Sequence, residues 1–218
     1  MLPKAVLIGA GGHARVVLDA LRRAGTHEIV GALDSDPSLA GTAMDGLPIL
    51  GGDGMIAALR DCGVTEAIIG VGGIGPLHVR RKLFDRFRAM GLRIATVVHP
   101  CAIVSAAATL GEGAQVLPGA IVNAGASIGE NTIVNSGAIV EHGTVIGAHA
   151  HIAPGAKLAG DVTVGELSFI GIGAAVFQGL RVGAAATVAG GAVVRKPVPD
   201  GALAAGNPAR ILRTGGTR

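Results

Sequence analysis

Two short segments of this 218-residue chain combine residue types and spacing suited to chemistry. Near the start, the apolar run Val6-Leu7-Ile8 passes into Gly9-Ala10-Gly11-Gly12-His13-Ala14 and then into an amphipathic stretch from Arg15 to Ala24. This is G-x-G-x-x-A between a strand and a helix, the setting in which glycine turns and a helix N-terminus hold a diphosphate. Gly9, Gly11 and Gly12 are the candidate phosphate contacts. A second strand, Glu28 to Leu33, ends at Asp34, about 25 residues after the first glycine, where a ribose-binding carboxylate is expected. The second segment is Glu141-His142. It lies in a nearly uncharged stretch, since residues 98–194 hold only 2 basic and 5 acidic groups. Neutral imidazole is the side chain best suited to proton transfer near pH 7, so His142 is a candidate general base with Glu141 beside it.

The elements that position these groups are legible from a repeat. From Val98 to Val194 every sixth residue is Val, Ile or Leu, 17 times without exception. Two residues before each stand mostly alanines, on the same inward side of a strand. Three residues after each, Gly, Asn or Asp recurs at 113, 119, 125, 131, 137, 143, 155, 161, 173, 179 and 191. These residues tolerate positive φ and read as corners. Short strands with a corner every six residues must wind, and Gly111, Gly129, Gly147, Gly165 and Gly183 mark a coil of three sides. The interior of such a prism admits one aliphatic and one small side chain per side. On that period Ala124 and Gly160 lie one coil either side of His142 and leave a groove over it. Residues 1–97 alternate strand and helix and read as a small parallel α/β domain, half of a dinucleotide fold. The expected organisation is 1–97 α/β, 98–198 parallel β-helix and 199–218 a C-terminal tail.

Composition excludes several classes. The chain has 37 Gly, four Phe and no Trp or Tyr, with an apolar fraction of 50%, which fits a narrow aliphatic interior rather than an aromatic-filled core. Glycine follows no three-residue period, excluding collagen, and the hydrophobicity excludes disorder. No run of about 20 apolar residues is present and the N-terminus lacks signal-peptide features, so a cytoplasmic protein without membrane insertion is expected. Few aromatics and no basic stripe argue against nucleic-acid binding. Arg80, Arg81, Lys82, Arg86 and Arg88 read as a solvated helix face, His149 as a surface residue, and Cys62 and Cys101 as reduced structural thiols. A dehydrogenase is disfavoured because half a dinucleotide fold is followed by no catalytic domain. A zinc-dependent carbonic anhydrase built on a β-helix would need a further histidine two coils before His142, where Ala106 stands.

The segments GAGGHARV (9–16), NSGAIVEH (135–142), HIAPGAKLAG (151–160) and GNPAR (206–210) together resemble the bacterial nucleotide-sugar N-acetyltransferases and sialic acid O-acetyltransferases. These are hexapeptide-repeat acyltransferases, and the resemblance runs along nearly the whole chain. It implies that the β-helix is left-handed, although parallel crossovers are ordinarily right-handed. It also implies direct attack of a sugar amine on acetyl-CoA, with His142 as base, no metal, and a UDP- or GDP-linked 4-amino-4,6-dideoxy sugar as acceptor. By the same resemblance His151 belongs to the acetyl-CoA side, and the Gly160 N–H binds the thioester oxygen. Arg195, Lys196 and Arg210 are suitably charged for CoA phosphates, and His13, Arg15, Asp34 and Asp36 are candidates for the sugar nucleotide. His142 and His151 are half a coil apart, so a site using both draws on adjacent subunits, which favours the family's homotrimer. The family commonly has an acid directly after the base; here that position is Gly143. The alternatives are sugar O-acetylation and a non-catalytic nucleotide-sugar-binding scaffold.

Overall fold

The computed structural model describes residues 1–73 and 77–214; the last four residues of the 199–218 tail lie outside the described residues. The N-terminal domain is built from β1 (Lys4–Ile8), α1 (Gly12–Ala24), β2 (Glu28–Leu33), β3 (Ala43–Met44), β4 (Leu47–Gly51), α2 (Ile56–Asp61), β5 (Val64–Ile69), α3 (His78–Ala89) and β6 (Arg93–Ile94). The sheet order is β3-β4-β2-β1-β5-β6, parallel except for the β3–β4 hairpin. β1 is central and wholly apolar after Lys4, as expected of a parallel strand covered on both faces.

From Val97 onward the chain is a left-handed parallel β-helix. Two-residue ladders stack with an 18-residue offset, for example Ile121 on Ile139 and Ile139 on Lys157. Three faces result. The first runs from Val97–Val98 through Gln115–Val116, Ile133–Val134, His151–Ile152 and Phe169–Ile170 to Thr187–Val188. The second carries Ile139–Val140, and the third Val145–Ile146. Leu203–Ala205 adds a further rung to the first face, and Arg210–Arg213 pairs back on it antiparallel. The inward ladder of Val, Ile and Leu with its small partners forms one core along the column. Buried Thr132 and Thr144 fit among the alanines because their hydroxyls donate to the Gly147 and Ala159 carbonyls at 2.9 and 3.0 Å.

All eleven corner positions read from the repeat have positive φ. His149, Leu167 and Ala185 also do, at φ 58°, 56° and 52°, in a conformation L side chains adopt rarely. With Asn131 they form one corner column between the third and first faces.

The N-terminal domain packs on the first face. Val17, Leu18 and Leu21 of α1 share a core with the outward residues Val97, Leu117 and Ile133. Each such buried aliphatic contributes about 1.5–3 kcal/mol, so the two domains are held in a fixed arrangement. Two sequence expectations fail at this seam. Arg80 is not on a solvated face: it is 2% exposed, donating from Nε to the Asn131 carbonyl at 3.1 Å and from Nη1 to the Ile69 and Val71 carbonyls. Arg81, Arg86 and Arg88 remain exposed and pair with Asp85, Asp53 and Glu130. His149 is not a surface residue; it is 5% exposed, edge-on to Phe84 and bonded through Nδ1 to Asn131. Helical periodicity reports which side of α3 faces its own sheet, and it carries no information about the corner column docked against it.

Candidate active site

His142 follows the strand Ile139–Val140, on the edge where the second face turns into the third. Its imidazole lies against Gly160 on the next coil. A methyl group built on Gly160 would stand 2.6 Å from Nε2 and 3.1 Å from Nδ1, so any side chain there displaces the ring. The Gly160 N–H donates to no backbone acceptor among the described residues, while its carbonyl accepts from Gly179 at 2.9 Å. Equivalent corner amides at Ala124 and Gln178 also donate to no backbone acceptor among the described residues; the one at Gly160 has an imidazole over it. Glu141 is held from the other side: its Oε2 accepts from Asn123 Nδ2 at 2.8 Å. No hydrogen bond joins the Glu141 and His142 side chains among the described residues. Asn123 was missed by the sequence reading, although it stands one 18-residue coil before Glu141, where the repeat could have found it.

Further along the same edge the column Glu141, Ala159, Phe177, Arg195 descends one coil at a time. Exposed Phe177 lies under the Arg195 guanidinium, 5.6 Å from ring centroid to Cζ. The antiparallel return of Arg210–Arg213 brings Arg210 to Arg195 and Lys196, closing a cleft of about 200 Å³ with Pro197, Val198 and Ala209. The three basic residues that the sequence singled out thus converge. The drop from Glu141 to Arg195 is three coils, about 14 Å at ~4.8 Å per coil.

In the N-terminal domain, Gly9 has φ 99° and makes the turn out of β1. Gly11 caps α1 without a side-chain acceptor, no acid occupies the first turn, and nothing stands within 4 Å of a Cβ built on Gly11 or Gly12. A helix N-terminus with open amides and free space is suited to an anion. Asp34 is spent on the loop itself, its Oδ2 accepting from Ala10 N–H at 2.7 Å and its Oδ1 from Asp36 N–H at 2.9 Å. Asp36 caps the turn at Pro37–Leu39 through Ser38, and these bonds hold its carboxyl below the usual range. Exposed Arg15 pairs with Asp45.

His13 and His151 lie at the seam. Gln115 donates from Nε2 to the Ile69 carbonyl at 2.7 Å, so its Oε1 faces His13 Nε2 at 2.9 Å and accepts the proton there. His151, 3% exposed, donates from Nδ1 to the Gly73 carbonyl and accepts at Nε2 from Asn135, both at 3.0 Å. Both its nitrogens are therefore committed within the chain. It projects from the first face, whereas His142 stands on the edge opposite. Burial, with Arg80 nearby, pushes both rings down to about 4. The fold thus favours neutral rings, and the stability they contribute is complete above the ordinary value of 6.5 and lost as pH falls to about 4. For His151 alone the loss is of order 3 kcal/mol. Thermal midpoints measured between pH 7 and 4 are expected to fall through this window, less steeply in His151→Gln.

Solved structures share this fold. PerB from Caulobacter crescentus, in complex with CoA and GDP-perosamine, is 39% identical over 97% of this chain and 98% of its own, with a TM-score of 0.89. The chain belongs to the hexapeptide-repeat nucleotide-sugar N-acetyltransferases. Residues 4–87 match the family model described as the PglD N-terminal domain. The acetyltransferase domain of PglB from Neisseria gonorrhoeae, in complex with acetyl coenzyme A, is 34% identical over 97% of this chain and 100% of its own, TM-score 0.88. A histidine-to-alanine variant of the Caulobacter GDP-perosamine N-acetyltransferase, also with CoA and GDP-perosamine, gives 38% identity, coverage of 98% and 99%, and TM-score 0.91. No curated protein matches. In this N-acetyltransferase no group of three or more His, Cys, Asp or Glu converges as a metal site, and no helix is long and apolar enough to cross a membrane, among the described residues.

Proposed function

We propose that the protein transfers the acetyl group of acetyl-CoA to the amine of a nucleotide-linked amino-deoxy sugar, with His142 as general base. The observation that carries this is the His142 imidazole seated over Gly160, on an edge that leads three coils down to the Arg195, Lys196 and Arg210 cleft. CoA phosphates in that cleft would let the pantetheine arm run past Phe177 and Ala159, bringing the thioester carbonyl to the Gly160 N–H. The amine lone pair forms the C–N bond, and His142 takes the amine proton. The C–S bond breaks with its electron pair on sulfur, and the proton passes to the departing thiolate. A backbone donor at the developing oxyanion is worth about 3 kcal/mol where one has been removed in other enzymes.

The nucleotide diphosphate is assigned to the amides of Gly11 and Gly12, with Gly9 shaping the turn, Arg15 facing solvent beside them and His13 orienting the loop. Asp34 and Asp36 serve by holding that loop. His151 acts from behind the site, fixing Gly73 and Asn135. The N-terminal domain covers the first face, and His142 stands on the edge opposite that face, so the sugar reaching one subunit's His142 is delivered by another subunit's loop. This supports a homotrimer with three composite sites. Acetyl-CoA and a sugar nucleotide as substrates fit a cytoplasmic enzyme of glycan biosynthesis.

Release of CoA thiol from acetyl-CoA is the test. It is expected with UDP- or GDP-linked 4-amino sugars and not with sialic acid; the opposite pattern would assign O-acetylation, and no turnover with either would leave a binding scaffold. Thermal shift with UDP and GDP separates the nucleotides, since a ligand at 100 times its Kd stabilises by about 2.7 kcal/mol.

A further inference from the structure

Gly143, the residue after the base, stands where an acid is common in the family, and the structure shows what fills that space. A Cβ built on Gly143 would collide with Asp161 Oδ1 and lie 3.3 Å from its Cγ. Asp161 is one coil on, so its carboxylate reaches back to the volume in which a side chain at 143 would begin. Its N–H donates to the His142 carbonyl at 2.9 Å, tying its backbone to that of the base. It immediately follows Gly160, against which the His142 ring lies. Ring and carboxylate thus flank consecutive residues whose Cα atoms are about 3.8 Å apart.

The backbone adds an independent observation. In the corner column Gly125, Gly143, Asp161, Gly179, each residue has positive φ, and Asp161, at 59°, is the one that is not glycine. Asp tolerates this conformation better than most residues, yet it remains less easy than glycine. The Asp161 carboxylate makes no hydrogen bond or ion pair with another side chain among the described residues, so its charge is not engaged within the chain.

We propose that Asp161 is a positioning residue for the reaction, supplying from the next coil the carboxylate that Gly143 lacks. An anion there favours the imidazolium that forms when His142 takes the amine proton. This rests on the assignment of His142 as base. Of the charged groups on the coils packed against His142, Glu141, engaged by Asn123, and Asp161 stand at its own corner; Lys157 lies on the strand stacked on Ile139, Glu130 and Glu166 lie at the corner between the third and first faces, and the neighbouring corner residues Ala124, Gly125 and Gly160 are uncharged.

The test compares kcat–pH profiles of wild type, His142→Ala, Asp161→Asn, Asp161→Gly and the exchange variant Gly143→Asp/Asp161→Gly. Loss of an anion beside the base disfavours the imidazolium formed in the reaction, so Asp161→Asn and Asp161→Gly are expected to move the acid limb of the profile to lower pH. The plateau falls by about 3–10-fold as the base weakens. Asp161→Gly relieves the positive φ, so a fold-only role would leave the limb in place. The exchange variant, with the acid back beside the base, is expected to restore the limb. Unmoved limbs in both single variants, with His142→Ala inactive, would overturn the role of Asp161 alone. Full activity in His142→Ala would overturn the assignment of the base itself.

Discussion

Replacing His142 by alanine is expected to lower kcat by about 10² to 10⁴ while leaving the fold and the KM for acetyl-CoA nearly unchanged. The size follows from the loss of a positioned general base, and the selectivity follows from where His142 sits. It is exposed at a corner, its side chain supports no inward packing, and the cleft of Arg195, Lys196 and Arg210 is three coils away. Steady-state thiol release over a range of acetyl-CoA concentrations separates the two parameters. A rise in KM at constant kcat would instead make His142 a binding residue.

Gly12→Asp is expected to raise the KM for the sugar nucleotide by about 10²-fold or more, because a like charge placed against a diphosphate costs several kcal/mol. The same substitution should slightly stabilise the protein. Gly12 is the first residue of α1, a Cβ there meets nothing within 4 Å, and the first turn has no acid of its own. A carboxylate at a helix N-terminus contributes about 0.3–1 kcal/mol. A variant that melts no earlier, keeps its affinity for acetyl-CoA and yet fails to bind nucleotide would locate the diphosphate at this loop. Unchanged sugar-nucleotide kinetics would remove the loop from the site.

Much of this was legible in the chain because the β-helix imposes local rules. Each side admits one aliphatic and one small residue, and each corner from Gly113 to Gly191 takes positive φ, so Val116, Ala114 and Gly113 disclose the fold one hexapeptide at a time. Residues whose roles depend on contacts between distant segments were not legible. Arg80 lies in a basic cluster at helical spacing, and its burial comes from the Asn131 carbonyl, 51 positions away. His149 reads as an outward corner until α3 is laid over it. Asn123 and Asp161 are intermediate: their one-coil offsets from Glu141 and Gly143 are fixed by the 18-residue period, but only the coordinates show that the side chains turn toward them.

The central claim is that catalysis needs His142 of one subunit and the glycine loop of another. Co-expression of His142→Ala chains with Gly12→Asp chains tests it directly. In a trimer assembled at random from equal amounts, about a quarter of the composite sites pair an intact base with an intact loop. The co-expressed population is therefore expected to regain roughly a quarter of wild-type activity from two variants that are each nearly inactive alone. Mixed trimers no more active than either parent would show that base and loop act within one chain, and would contradict the account.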